Sequence, residues 1–173
     1  MNGWTLLVAA HAFAASVALP LGGYQLLRRR KGDHRHRVVG WTWVVAMTFV
    51  ATSSFAIRDL RDGKLSLLHV LSVVTLASLI SGIVGARRGS ITQHRAGMRG
   101  TWLGLFGAFI GAVAVPSRLI PTFMVTSPLG ALAAFGAVLV TAAVVVVLAG
   151  LPVPRPRART GGLRGLVVRL RHG

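Results

Sequence analysis

No cysteine occurs in the chain, and only three residues are acidic: Asp33, Asp59 and Asp62. The first absence excludes disulfides, cysteine-bound zinc and iron–sulfur clusters. The second leaves too few carboxylates for paired-carboxylate hydrolysis or for an oxygen cage around a hard cation. Charged residues make up only 13% of the sequence, about half the share of a soluble domain. Apolar residues make up 53%. Long uncharged apolar runs place the chain among polytopic membrane proteins. The net charge of +17 does not indicate nucleic acid, because the cations sit between apolar runs and not along an aromatic surface. The N-terminus has no basic region ahead of its first apolar run, so it does not read as a cleavable signal.

Five apolar segments of spanning length are expected, at about residues 4–27, 38–57, 65–86, 99–116 and 125–151. The fourth is short unless its helix begins near Thr92. With alternating helices, the cations of 28–37, 87–99 and the tail all fall on one side. Only Arg58, Arg61, Lys64 and Arg118 fall on the other. The positive-inside bias then predicts a multi-pass plasma-membrane protein with its N-terminus outside and its C-terminus in the cytoplasm. Residues 1–151 form the transmembrane bundle. Residues 152–173 form a basic Pro/Arg-rich tail, ending either in a short amphipathic helix on the anionic leaflet or in a frayed segment.

Within the bundle lies a repeat. Shifted by 58 positions, His11 falls on His69, Arg29 on Arg87, Arg30 on Arg88, His36 on His94 and Arg37 on Arg95. Each copy has 24 residues between its two histidines. A parallel repeat puts corresponding residues at equal depth. His11 and His69 then stand level near the outer face, and His36 and His94 level near the inner face. The expected fold is all-α: a four-helix histidine-bearing core made of two parallel-repeat hairpins, plus a fifth transmembrane helix.

Histidine inside a membrane helix is costly and marks function. Two neutral imidazoles facing each other across a bundle can ligate one haem iron from both sides, an arrangement suited to electron transfer. The expected cofactors are therefore two haems b, one on His11 and His69 and one on His36 and His94. If either site is empty, it is the inner one, because its histidines open their helices. Arg37, Arg95 and Arg99 are placed to meet the propionates of the inner haem, and Arg58, Lys64 and Arg118 those of the outer, with Ser53 and Ser54 as further donors. Gly22, Gly23, Gly82, Gly85, Gly104, Gly107 and Gly111 either make room for a macrocycle or serve ordinary helix packing. His34 lies in a polar loop and His172 in the tail. Two neutral ligands with no carboxylate or thiolate nearby make a poor closed zinc or copper site.

Several of these residues carry a resemblance. His11, His36-Arg37-x-x-Gly40, Ser53-Ser54-Phe55, His69-Val70-Leu71-Ser72, His94-Arg95-x-x-Met98 and Pro116-x-Arg118 resemble the bacterial integral-membrane group called domain-of-unknown-function family 2306. The helix and histidine plan is also similar to that of the ascorbate-reducible di-haem transmembrane cytochromes b. That likeness implies two haems passing electrons across the membrane, but the substrate-binding motifs of those cytochromes are not evident here. The expected partners are the lipid bilayer, a quinol or small reductant, and other subunits of a membrane complex, with no nucleic acid. Two competing readings are a haem-free accessory subunit of a larger membrane complex and a small transporter. Whether the chain is itself an enzyme, a membrane oxidoreductase, is left open by the residues.

Overall fold

The computed structural model describes residues 5–57, 67–116 and 118–151. Among these the chain is entirely helical. Its helices are α1 (Leu6–Leu27), α2 (His34–Ser53), α3 (Leu67–Arg87), α4 (Ile91–Ala114), α5 (Leu119–Thr126) and α6 (Pro128–Leu148). Three of them, covering Leu6–Leu27, His69–Arg87 and Pro128–Leu148, are long and apolar enough to cross a bilayer alone, and α4 with α5 qualifies as a broken pair.

Local chemistry explains the boundaries. Thr5 caps α1 by accepting from the backbone N–H of Val8 at 3.2 Å. Asp33 does the same for α2, accepting from His36 N–H at 2.9 Å. Gly32, at φ +85°, supplies the left-handed residue of the tight α1–α2 turn. The α3–α4 turn is built on Gly89 at φ +74°. There Ser90 N–H reaches the Gly85 carbonyl at 2.9 Å, closing the end of α3. Ser90 then caps α4 through its hydroxyl. Val115 is extended ahead of Pro116, which disfavours helical backbone at the residue before it, and α4 stops there. Pro128 opens α6, where a missing N–H costs nothing.

These boundaries refine the expected segments. The second helix starts at His34 instead of residue 38, so His34 opens a helix and does not sit in a loop, though it remains exposed. The fourth begins at Ile91, which gives it its spanning length. The expected fifth segment is divided, its first residues belonging to the short α5 and the rest to α6. The tail of residues 152–173, with its candidate amphipathic helix, lies outside the described residues.

α1 packs on α2, and α3 on α4. The two hairpins meet through α1 with α4 and α2 with α3. Neither α1 with α3 nor α2 with α4 forms a packed pair among the described residues, so each stands across a diagonal. α6 lies mainly against α1, and α5 bridges α4 and α6. The centre holds Leu21, Val39, Met47, Leu79 and Thr101, all fully buried. Large apolar side chains such as Val45, Val73, Leu132 and Phe135 point outward, as a lipid-facing surface requires.

Two tryptophans tie neighbouring helices to α1, one within the first hairpin and one between the hairpins. Trp43 on α2 donates its indole N–H to the Ala18 carbonyl at 2.8 Å. Trp102 on α4 donates to the Leu19 carbonyl at 3.0 Å. Both rings close over Gly22, where an added Cβ would collide with Trp102 and lie 2.7 Å from Trp43 Nε1.

Candidate functional site

The α1–α2 and α3–α4 turns mark one end of the molecule, which carries most of the described cations and is called here the basic end. His36 lies in the first turn of α2 and His94 in the first turn of α4. Across the diagonal their ring centres are 6.2 Å apart, with the planes at 81°. Each ring is held from behind. His36 Nδ1 faces Gln25 Oε1 at 3.0 Å, and Gln25 Nε2 donates to the His36 carbonyl at 2.8 Å. His94 Nδ1 donates to the Gly82 carbonyl at 3.0 Å. A carbonyl oxygen can only accept, so Nδ1 carries a proton in both rings, and in a neutral imidazole the lone pair is then on Nε2.

The loop before α2 is braced by charge. Arg28 forks onto Asp33, its Nη1 at 2.6 Å from Oδ1, with Nη2 on the other carboxylate oxygen. Those hydrogen bonds, with the His36 N–H behind them, hold the Asp33 carboxyl well below the usual carboxylate range. Asp33 thereby anchors the turn that presents His36.

At the far end, His11 on α1 meets the end of α2. Its Nδ1 lies 2.8 Å from Ser53 Oγ. The Ser53 hydroxyl already donates to the Val50 carbonyl at 3.2 Å, so it accepts from His11, and His11 is also protonated at Nδ1. His69 on α3 is buried, 5.8 Å from the Phe55 ring. Ser54, next in line, shares a 2.6 Å hydrogen bond with Ser72 one turn along α3 from His69. The tripeptide Ser53-Ser54-Phe55 thus touches both histidine-bearing helices. Its two serines, expected as further propionate donors, are engaged here with the protein itself.

Most of the glycines serve packing. A Cβ on Gly97 would lie 2.6 Å from Gly82 N and from the Ser78 carbonyl, and one on Gly85 would lie 2.7 Å from His94 N. Gly82, Gly85 and Gly97 therefore set the close approach of α3 and α4 at the basic end. Gly104 still touches Thr75. Gly107 and Gly111 meet nothing within 4 Å among the described residues, so α4 has open space beside it toward the far end.

Among the expected propionate partners, Arg37, Arg95 and Arg99 are exposed at the basic end and Arg118 is half-buried beside α5. Arg58 and Lys64 lie outside the described residues. No group of three or more histidine, cysteine or acidic residues that could hold a metal ion occurs among the described residues.

Comparison with known proteins adds one finding. The model of a family described as "Predicted membrane protein (DUF2306)" matches residues 8–151. The chain belongs to this family. The match extends the resemblance noted over residues 11–118 to α6. No curated protein and no solved structure matches the chain. Family membership supports a membrane protein with apolar helices, and the family description names no activity.

Three functional elements were not singled out from the sequence: Gln25, the Gly82 carbonyl and the Trp43–Trp102 pair. Gln25 had a legible signal, being the lone amide of a mostly apolar helix, near its end. The Gly82 carbonyl had none, since a backbone group leaves no trace in composition.

Proposed function

We propose that the chain is a b-type transmembrane electron-transfer protein in which two histidine pairs, His36 with His94 and His11 with His69, each hold one haem b. The observation that carries this reading is the basic-end pair. A metal bound by imidazole lies about 2.0–2.1 Å from the ligating nitrogen, so two imidazoles on opposite sides of one ion have ring centres about 6 Å apart. His36 and His94 stand at 6.2 Å. Each imidazole could turn about its own bond to a shared metal, so planes at 81° would still let His36 and His94 hold one group. Metal-ligating histidines characteristically give their other ring N–H to an acceptor that fixes tautomer and orientation. Gln25, Gly82 and Ser53 supply such acceptors to His36, His94 and His11.

Haem b supplies one-electron redox chemistry when bound. The chain's own residues would do the rest. The four histidines hold the two centres at opposite levels of the bundle, in a four-helix core with α6 as an additional spanning helix. Trp43, Trp102 and the central apolar side chains exclude water between those levels. At the far end, the open flank beside Gly107 and Gly111 leaves room for the edge of a flat macrocycle. Arg37, Arg95 and Arg99 at one end, with Arg58 and Arg118 at the other, would neutralise propionates. With the basic end in the cytoplasm, His11 and His69 would hold the centre that faces a quinol or other small reductant, and His36 and His94 the centre that faces a one-electron acceptor.

The test is a reduced-minus-oxidised spectrum of the protein purified in detergent from haem-sufficient cells. Cytochrome b absorption at two haems per chain is the expected result. Protein that is folded but colourless overturns the proposal in favour of a haem-free subunit.

A further inference from the structure

The two hairpins solve one problem in different ways. In the second, His94 hydrogen-bonds directly to a backbone carbonyl of the neighbouring helix, that of Gly82. It reaches because Gly82 and Gly97 bring the helices into backbone contact. Under the 58-residue shift, those two glycines correspond to Tyr24 and Val39 in the first hairpin. Val39 is fully buried, Tyr24 is half-buried and packed against the core, and neither position lets the backbones meet as glycine does. The Gln25 side chain occupies the wider space, lying over Gly40 and taking the place of the missing carbonyl in front of His36.

The direction of the Gln25 amide follows from its partners. The His36 carbonyl can only accept, so the Gln25 NH2 points to it, and Oε1 is left for the ring. An acceptor at Nδ1 demands a proton there, and in the neutral ring it leaves the lone pair on Nε2.

We infer that Gln25 is a positioning residue whose carboxamide, standing in for the Gly82 carbonyl of the other hairpin, locks His36 in the Nδ1–H tautomer and tunes its strength as a ligand. The tautomer part stands on the hydrogen bonds alone. The tuning part rests on the bis-histidine reading above. An imidazole whose N–H is engaged by an acceptor is a more basic ligand, and it stabilises the oxidised state of the metal it holds.

The experiment uses the full chain labelled with 15N-histidine in detergent. Ring-nitrogen shifts are recorded on haem-free protein, and His36 is assigned by the signal lost in His36→Ala. Gln25→Met keeps the length of the side chain and removes the acceptor. Gln25→Asn keeps the amide but is one methylene too short. Gln93→Met is the control, because Gln93 donates to Ser81 and not to a histidine. The expected result is a single Nδ1–H tautomer for His36 in the parent and in Gln93→Met, with a mixture of both tautomers in the two Gln25 variants. Potentiometry on haem-loaded protein should then show the midpoint of one centre raised in both Gln25 variants and the other unmoved. An unchanged His36 tautomer in both Gln25 variants overturns the inference. A tautomer that responds in protein that never binds haem upholds the positioning role and overturns the haem reading, so the two failures are distinct.

Discussion

His36 and His94 face each other with ring centres 6.2 Å apart, although the helices that carry them do not pack together. The separation is bridged by the imidazoles alone. Each ring is tied to the helix preceding its own, His36 to Gln25 on α1 and His94 to Gly82 on α3. Two rings held from behind at this separation are what the proposed shared ligand would need.

The histidines should therefore fail in pairs. His36→Ala and His94→Ala are each expected to remove the same centre, halving bound haem. His11→Ala and His69→Ala should remove the other half. Haem-to-protein ratios with spectra of each single variant check this, and the double variant His36→Ala/His94→Ala should lose no more than either single change.

Gly22 and Gly136 should respond oppositely to alanine. A Cβ at Gly22 collides with two indoles that are themselves tethered to α1 carbonyls, so overpacking of about 1–3 kcal/mol is expected. Gly136 on α6 has nothing within 4 Å, and alanine there should leave stability unchanged or raise it by about 0.5–1 kcal/mol. Thermal melting in detergent distinguishes the two.

Gly97→Ala should separate α3 from α4, because its Cβ would meet Gly82 N and the Ser78 carbonyl, both backbone atoms with little freedom to retreat. His94 would then lose its reach to the Gly82 carbonyl. The expected outcome is a lowered melting midpoint together with loss of the basic-end centre and retention of the far-end one, read from the spectrum.

The Arg28–Asp33 pair predicts a pH dependence. Asp33 is held below its usual range in the folded protein, so its contribution is fully present above the unfolded carboxylate pKa of about 3.9. It is lost only as pH falls through the depressed folded value. The difference in melting midpoint between the parent and Asp33→Asn should stay constant from about pH 5 to 8 and shrink in stronger acid. Added salt should reduce it, since the Asp33 carboxylate is exposed to solvent.

Much of this arrangement was legible beforehand. Apolar runs marked the helices, and the 58-residue shift showed that His36 and His94 belong at one level. Level is a property of position along a helix, which spacing records. Lateral separation is not. It depends on the volumes at each helix crossing, and the contrast of Gly82 and Gly97 with Tyr24 and Val39 becomes meaningful only when the helices are paired. Gln25 was legible as a lone amide in α1, but its partner could not be read for that reason. The helix start at His34 was missed because a cap at Asp33 outweighed the polarity of His34-Arg35, which reads as loop ahead of the His36-Arg37 opening. Of the two readings open for Gly22, room for a macrocycle or helix packing, the structure shows packing, with tryptophans from two different helices against it.

The most direct test of the central claim is near-infrared magnetic circular dichroism of the oxidised protein, purified from haem-sufficient cells. Two low-spin ferric centres with two nitrogenous axial ligands each, one of them abolished by His36→Ala, is the result predicted. Folded protein with no haem signal, or with a signal that survives His36→Ala and His11→Ala alike, would contradict it.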